Sequence, residues 1–166
     1  MDQGDWAFRN EMNAIGRTHH KNLVKLLGYY HDGSNRLLVY EYMTNGFKLF
    51  NSISMFMDEE AMDESTHNLL LSAKLNALQV IECDTQIIHC DIKSENILMS
   101  DQKCAKLVDF GLAKLLKPDQ TRTYTGLRGT WGYVAPEWHR NVPITVKTNV
   151  YSFGVVLLET YAAEDV

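Results

Sequence analysis

Three prolines and three cysteines are all that the 166 residues contain. Cys83, Cys90 and Cys104 are odd in number and include no C-x-x-C pair, which argues against a disulfide framework or zinc site and fits reduced, intracellular thiols. No apolar run approaches the roughly 18 residues that a membrane span requires. The start, Met1-Asp2-Gln3-Gly4-Asp5, lacks a basic segment followed by an apolar stretch, so a soluble chain without a leader or membrane segment is expected. Excess positive charge is also missing: 16 basic against 21 acidic residues leave a net charge of −5, which speaks against a nucleic-acid binder. What remains is an ordinary globular composition, 45% apolar and 22% charged, with enough length for a core.

Phe8, Met12 and Ile15 recur at helical spacing, so a helix is expected over about 5–15 with Gly16 as its stop. Leu23 to Tyr30 and Leu37 to Met43 flank Asp32-Gly33-Ser34-Asn35 and read as a hairpin. Helices are expected over 47–57 and 69–81. Between them Asp58, Glu59, Glu60, Asp63 and Glu64 form an acidic knot, read as a solvated face rather than a carboxylate pair at work. Ile87-Ile88, Ile97 to Met99 and Ala105 to Val108 read as short strands, the last two joined by a turn at Asp101-Gln102-Lys103. Residues 112–144 read as a long irregular segment, of the kind that is usually functional. Val146, Val150, Phe153 and Leu157 restore helical period, with Thr145 as N-cap.

The chemistry concentrates in His89-Cys90-Asp91-Ile92-Lys93-Ser94-Glu95-Asn96 and in Asp109-Phe110-Gly111. Asn96 and Asp109, at adjacent strand ends, supply oxygen ligands suited to Mg²⁺. Lys93 supplies a point charge for a phosphate, and Asp91 is left to orient or deprotonate a hydroxyl. That division of labour is the one phosphoryl transfer requires. A lone Asp-Phe-Gly is a weak signal. The ordered set H-x-D-x-K-x-x-N, Asp-Phe-Gly and Ala135-Pro136-Glu137 is a strong one.

With these motifs and with His19 to Gly28, Arg36 to Met43, Gly129 to Trp138 and Tyr151 to Glu159, the chain resembles plant receptor-like serine/threonine kinases, most closely the G-type lectin S-receptor-like group. The resemblance implies an α+β fold, an incomplete bilobal kinase domain in which 1–43 are a remnant of the small lobe and hinge and 44–166 part of the large lobe. It implies ATP, Mg²⁺ and a protein substrate. It casts Asp91, Lys93 and Asn96 as catalytic, Asn96 and Asp109 as metal-binding, and Glu11, Glu41, Met43, Lys93 and Asp109 as nucleotide-binding. Glu11 corresponds to the helix glutamate that pairs with an ATP-anchoring lysine, Glu41 and Met43 lie in the hinge, and Tyr40 is the gatekeeper. Thr121, Thr123, Tyr124 and Thr125 are phosphosite candidates in the activation segment, where Thr130 steadies the catalytic loop. It further implies a plasma-membrane parent with a cytosolic kinase domain, the chain as given being cytoplasmic.

Several positions depart from that pattern. Neither a Gly-rich phosphate loop nor a lysine partner for Glu11 is present. Cys90 stands where many kinases carry arginine, as in the non-RD subgroup. Asn149 replaces an aspartate, from which a weaker hold on the catalytic loop is expected. Trp131 and Trp138 are expected to pack around the activation segment. Leu157 and Leu158 are expected to be partly uncovered, offering a protein contact surface on the large lobe. Two functions follow as expectations: a serine/threonine kinase domain, truncated and weak or inactive as given, or a non-catalytic, pseudokinase-like binding module.

Overall fold

The computed structural model describes residues 3–16, 18, 20–43, 86–100, 104–140 and 142–162. The helices expected over 47–57 and 69–81, the acidic knot and the turn at 101–103 lie outside the described residues.

Helix α1, Gln3–Gly16, opens with Asp5 in its first turn, where a carboxylate favours the positive end of the helix dipole. Asp5 also accepts a 3.2 Å hydrogen bond from Arg9, one turn on. The helix buries Phe8, Ala14 and Ile15. It ends at Gly16, and Thr18 covers two of its last carbonyls, its hydroxyl donating to Ala14 O at 2.8 Å and its N–H to Ile15 O at 3.1 Å.

Strands β1 (Leu26–His31) and β2 (Arg36–Tyr40) form the expected antiparallel hairpin, with one irregularity between Leu26 and Gly28. Its turn is fixed by Asp32, which accepts from the Asn35 backbone at 2.8 Å and its amide at 3.1 Å, while Gly33 takes φ 89°. The hairpin starts three residues later than the apolar run suggests. Residues 22–24 instead dock alongside the strand at 105–107: Leu107 N–H donates to Asn22 O at 2.8 Å and Val24 N–H to Leu107 O at 3.1 Å. Asn22 Nδ2 adds a 3.0 Å bond to Ala105 O.

Three short strand pieces carry the middle of the fold. β3 (Ile87–Ile88) pairs antiparallel with β6 (Lys114–Leu115), and β4 (Ile97–Met99) pairs antiparallel with β5 (Ala105–Leu107). A 3₁₀ turn, Ser94–Asn96, precedes β4. The stretch expected to be wholly irregular therefore contains β6 and a second 3₁₀ turn, Pro136–His139, started by Pro136 at its first position.

Helix α2, Lys147–Ala162, begins where Thr145 Oγ1 accepts the Lys147 N–H at 3.2 Å. Its buried face corrects the expected one. Val150 is 44% exposed, whereas Thr148, Asn149, Phe153, Val156 and Thr160 are buried. The hydroxyls allow this because they satisfy themselves locally: Thr148 donates to Thr145 O at 2.8 Å and Thr160 to Leu157 O at 2.7 Å. Leu157 packs against the core and Leu158 is 69% exposed. The main core gathers Ile15, Leu23, Ile87, Ile97, Leu107, Phe153 and Val156 around Phe110, which is fully buried. Burying such a phenyl ring contributes roughly 2–3 kcal/mol, and it fixes the residue that follows Asp109 in the chain.

Candidate functional site

The pairing of β4 with β5 sets Asn96 opposite Val108, the residue before Asp109. Ile97 faces Leu107, so the residues just outside the ladder face each other as well, and Val108 N–H donates to Asn96 O at 3.0 Å. Asp109 follows immediately, exposed and in the left-handed region at φ 62°. Cys90, at φ 69°, is the other non-glycine residue there among the described residues. Left-handed backbone costs an L-residue free energy, and it persists where its surroundings over-determine it.

On the preceding loop, buried Asp91 is held from several sides. Thr130 Oγ1 donates to Asp91 Oδ1 at 2.7 Å, Lys93 Nζ lies 3.6 Å from Asp91 Oδ2 and donates to Thr130 Oγ1 at 3.1 Å. Asn96 Nδ2 donates to Asp91 O at 3.0 Å, so its amide oxygen is the atom that could face a cation. His89 supports the loop from below. Its Nδ1 accepts the Asp91 N–H at 3.2 Å, which places the ring proton on Nε2, 3.0 Å from Val108 O. Burial holds this imidazole below its ordinary pKa, so it is neutral and fully satisfied. Phe110 meets its ring edge-on at 4.5 Å.

Asn149 does more than the sequence suggests. Its Oδ1 accepts the His89 N–H at 2.9 Å and its Nδ2 donates to Ile87 O at 2.8 Å. A carboxylate could accept the first bond but not donate the second. The expected weakening of the hold is thus offset by a bond that only the amide makes. Trp138 is buried as expected, but Trp131 is not packed away: it is 76% exposed, with its ring 5.6 Å from His139. Gly129 is a residue whose requirement is geometric. At φ 105°, a Cβ there would lie 2.4 Å from Cys90 O. Cys90 itself is a neutral thiol, pushed by burial up to about 12.

An open cleft brings Glu11, Tyr40, Glu41, Met43 and Asp109 together, over an apolar floor that includes Leu98 and Val108. Within it Tyr40 donates to Glu11 Oε1. Burial raises the Glu11 pKa, against the pull of the Tyr40 hydroxyl, and the Asp109 charge raises it further. Tyr40 is raised too, by burial and by Glu11. Glu41 is tied elsewhere, to Lys106 Nζ and, at 2.9 Å, to the Lys25 N–H, and the Lys106 bond draws its pKa down. Of the activation-segment residues, only Thr130 reaches Asp91. Thr123 bridges to Ile144 through backbone bonds of 2.9 Å, and Thr121 and Tyr124 are exposed. Thr125 is half-buried.

Two oxygen donors, the amide of Asn96 and the carboxylate of Asp109, on either side of one strand pair fit a hard cation whose remaining ligands come from phosphates and water. Among the described residues no group of three or more His, Cys, Asp or Glu could hold a metal unaided. Also among them, no helix is long and apolar enough to cross a membrane.

Residue reasoning missed Asn10, whose amide reaches three backbone carbonyls just after Asp109. Nothing in a single polar residue of a helix signals partners about 100 positions away.

Comparison with known families matches residues 2–166 to the protein kinase domain. Among curated proteins, the chain is 54% identical over 155 residues to the G-type lectin S-receptor-like serine/threonine-protein kinase LECRK4 of Oryza sativa subsp. indica, a match covering 92% of this chain and 19% of that one. It is 53% identical over 152 residues to LECRK1 of Oryza sativa subsp. japonica, covering 92% and 18%. It is 48% identical over 153 residues to RLK1 of Arabidopsis thaliana, with the same coverage, 92% and 18%. The chain thus spans about a fifth of the length of these relatives.

Proposed function

The chain belongs to the protein kinase family and is similar to plant receptor-like serine/threonine kinases, and from that premise we propose that its site serves ATP-dependent phosphoryl transfer to serine or threonine hydroxyls of proteins. The observation that carries the reading is the triangle Asp91–Thr130–Lys93 beside Asn96 and Asp109. In this reading Asp91 orients the substrate hydroxyl and takes its proton as the oxygen–phosphorus bond forms and ADP leaves. Lys93, already directed at Asp91 and Thr130, offsets charge on the transferring group. Asn96 and Asp109 hold Mg²⁺, which when bound supplies charge neutralisation at the phosphates. Glu41 and Met43 border the adenine side of the cleft, with Glu11 and Tyr40 at its inner end.

The lobes follow the same reading: 1–43 contribute the small lobe and hinge, and 44–166 contribute part of the large lobe. The chain works on the cytosolic side of a plasma-membrane receptor, and Leu158, 69% exposed, belongs to a surface that meets other protein. Within these 166 residues there is no G-x-G-x-x-G, and among the described residues the side chain that bonds Glu11 is Tyr40 rather than a lysine. These residues alone therefore turn over weakly or not at all. The Glu11–Tyr40 bond favours a second reading, a module that binds nucleotide or protein without transfer.

The experiment is a transfer assay with γ-labelled Mg-ATP and a generic Ser/Thr protein substrate, run beside a thermal shift. A Mg-ATP-dependent shift with trace labelling that Asp91→Asn abolishes supports the kinase reading. A shift without labelling supports the binding module. Absence of both contradicts the nucleotide site itself.

A further inference from the structure

Asn10 precedes Glu11 on α1, and its Nδ2 lies 3.2 Å from Phe110 O, 2.9 Å from Gly111 O and 2.7 Å from Ala113 O. A primary amide has two hydrogens, so the two short bonds use one each and the third shares. The three carbonyls converge because residues 110–113 make a tight turn, closed by Ala113 N–H to Phe110 O at 3.0 Å. Gly111 lies against the same helix: a Cβ there would meet Ala7 Cβ at 3.6 Å and Asp109 Oδ1 at 3.4 Å.

Asp109, immediately before this turn, holds a left-handed φ of 62° that its own residue type only tolerates. Phe110 is anchored in the core on one side. Without that donor on the other side, the Gly111 and Ala113 carbonyls would turn toward a half-buried helix face with no amide to accept from, and Phe110 O would keep only the Ala113 N–H. The turn would then re-form toward solvent, and Asp109 would lose the constraint on its backbone. We propose that Asn10 is a positioning residue: it clamps the turn after Asp109 onto α1, so that the Asp109 carboxylate and Glu11 enter the cleft as one rigid unit. Movement of α1 would then move the metal-binding carboxylate with it.

The proposal's nucleotide arm rests on the kinase reading above; its backbone arm does not. In the ligand-free chain, Asn10→Asp keeps the shape but removes both donors. Amide hydrogen exchange over 110–114 is expected to quicken at least about tenfold, since more than one buried hydrogen bond is lost, while exchange in α2 is unchanged. Asn10→Gln, which retains the amide, restores slow exchange, and Asn10→Ser, with a single donor, falls between and serves if the aspartate variant does not fold. Unchanged exchange over 110–114, or an equal quickening throughout the chain, overturns the clamp. In the second arm, Mg-ADP is titrated into the same proteins, and Asn10→Asp is expected to weaken binding about tenfold. Equal affinity in wild type and Asn10→Asp overturns the link to the carboxylate. If the wild-type chain binds no Mg-ADP, the kinase reading fails and the exchange data alone decide on Asn10.

Discussion

Thr130 Oγ1 donates a 2.7 Å hydrogen bond to Asp91 Oδ1, joining two residues 39 positions apart. The same hydroxyl accepts from Lys93 Nζ at 3.1 Å. One side chain thus fixes both the carboxylate proposed to receive the proton and the cation proposed to meet the phosphate. Thr130→Val keeps the shape and removes both bonds, leaving a buried carboxylate oxygen without that donor. Stability is expected to fall by about 1–3 kcal/mol, read from denaturant unfolding, with Thr130→Ser near wild type.

Gly129 sets how closely the activation segment approaches the catalytic loop. A Cβ at φ 105° and 2.4 Å from Cys90 O is both strained and clashing with backbone. Gly129→Ala is expected to destabilise by about 2–4 kcal/mol. Gly126→Ala, with nothing within 4 Å and no positive φ, serves as the control; a change within about 0.5 kcal/mol is expected there.

Glu11 and Asp32 pull stability in opposite directions with pH. The Glu11 pKa is raised above 4.5 in the folded chain, chiefly by burial, so the folded state holds more protons than the unfolded one just above that pH. Its favourable contribution is present below 4.5 and is lost as pH rises through the folded value. The Asp32 pKa is lowered to about 2 by the Asn35 backbone and side chain, so its contribution is present above 3.8 and lost as pH falls toward 2. Unfolding curves from pH 2 to 7 are expected to show an acid limb that Asp32→Asn flattens. The decline above pH 4.5 is expected to flatten in Glu11→Gln and to shift upward in pH in Tyr40→Phe.

Cys90 is raised by burial to about 12, so at pH 8 it is held as the unreactive thiol. Iodoacetamide is expected to leave Cys90 unmodified in the folded chain and to label it on unfolding, as read by peptide mass spectrometry. Rapid labelling of the folded chain would contradict this environment.

Local signals carried much of the fold. Phe8 and Ile15 spacing located α1, Asp32-Gly33 located the hairpin turn, and short apolar runs located β3, β4 and β5, whose pairings the runs did not reveal. The ordered motifs named Asp91, Lys93 and Asn96 of the catalytic loop and Asp109 of the cleft, whereas Glu11, Glu41 and Met43 of the cleft came from the family resemblance. What escaped were features set by backbone direction over long separations. Val150 looked like a core position because apolar period was the guide, yet α2 buries Thr148, Asn149 and Thr160, whose polar atoms find backbone partners. Asn149 looked like a weakened aspartate because residue type cannot reveal that Ile87 presents a carbonyl beside the His89 N–H. Trp131 looked like a packing residue by its size alone, and the turn at 131–133 points it outward.

The central claim is that Asp109 in the cleft, with Asn96 on the neighbouring strand end, forms a metal–nucleotide site. Isothermal titration of ATP into the chain, with Mg²⁺ and then with EDTA, tests it most directly when repeated on Asp109→Ala. The account predicts binding that requires the metal and is weakened at least about tenfold by the substitution. No binding, or binding indifferent to both EDTA and Asp109→Ala, would contradict it.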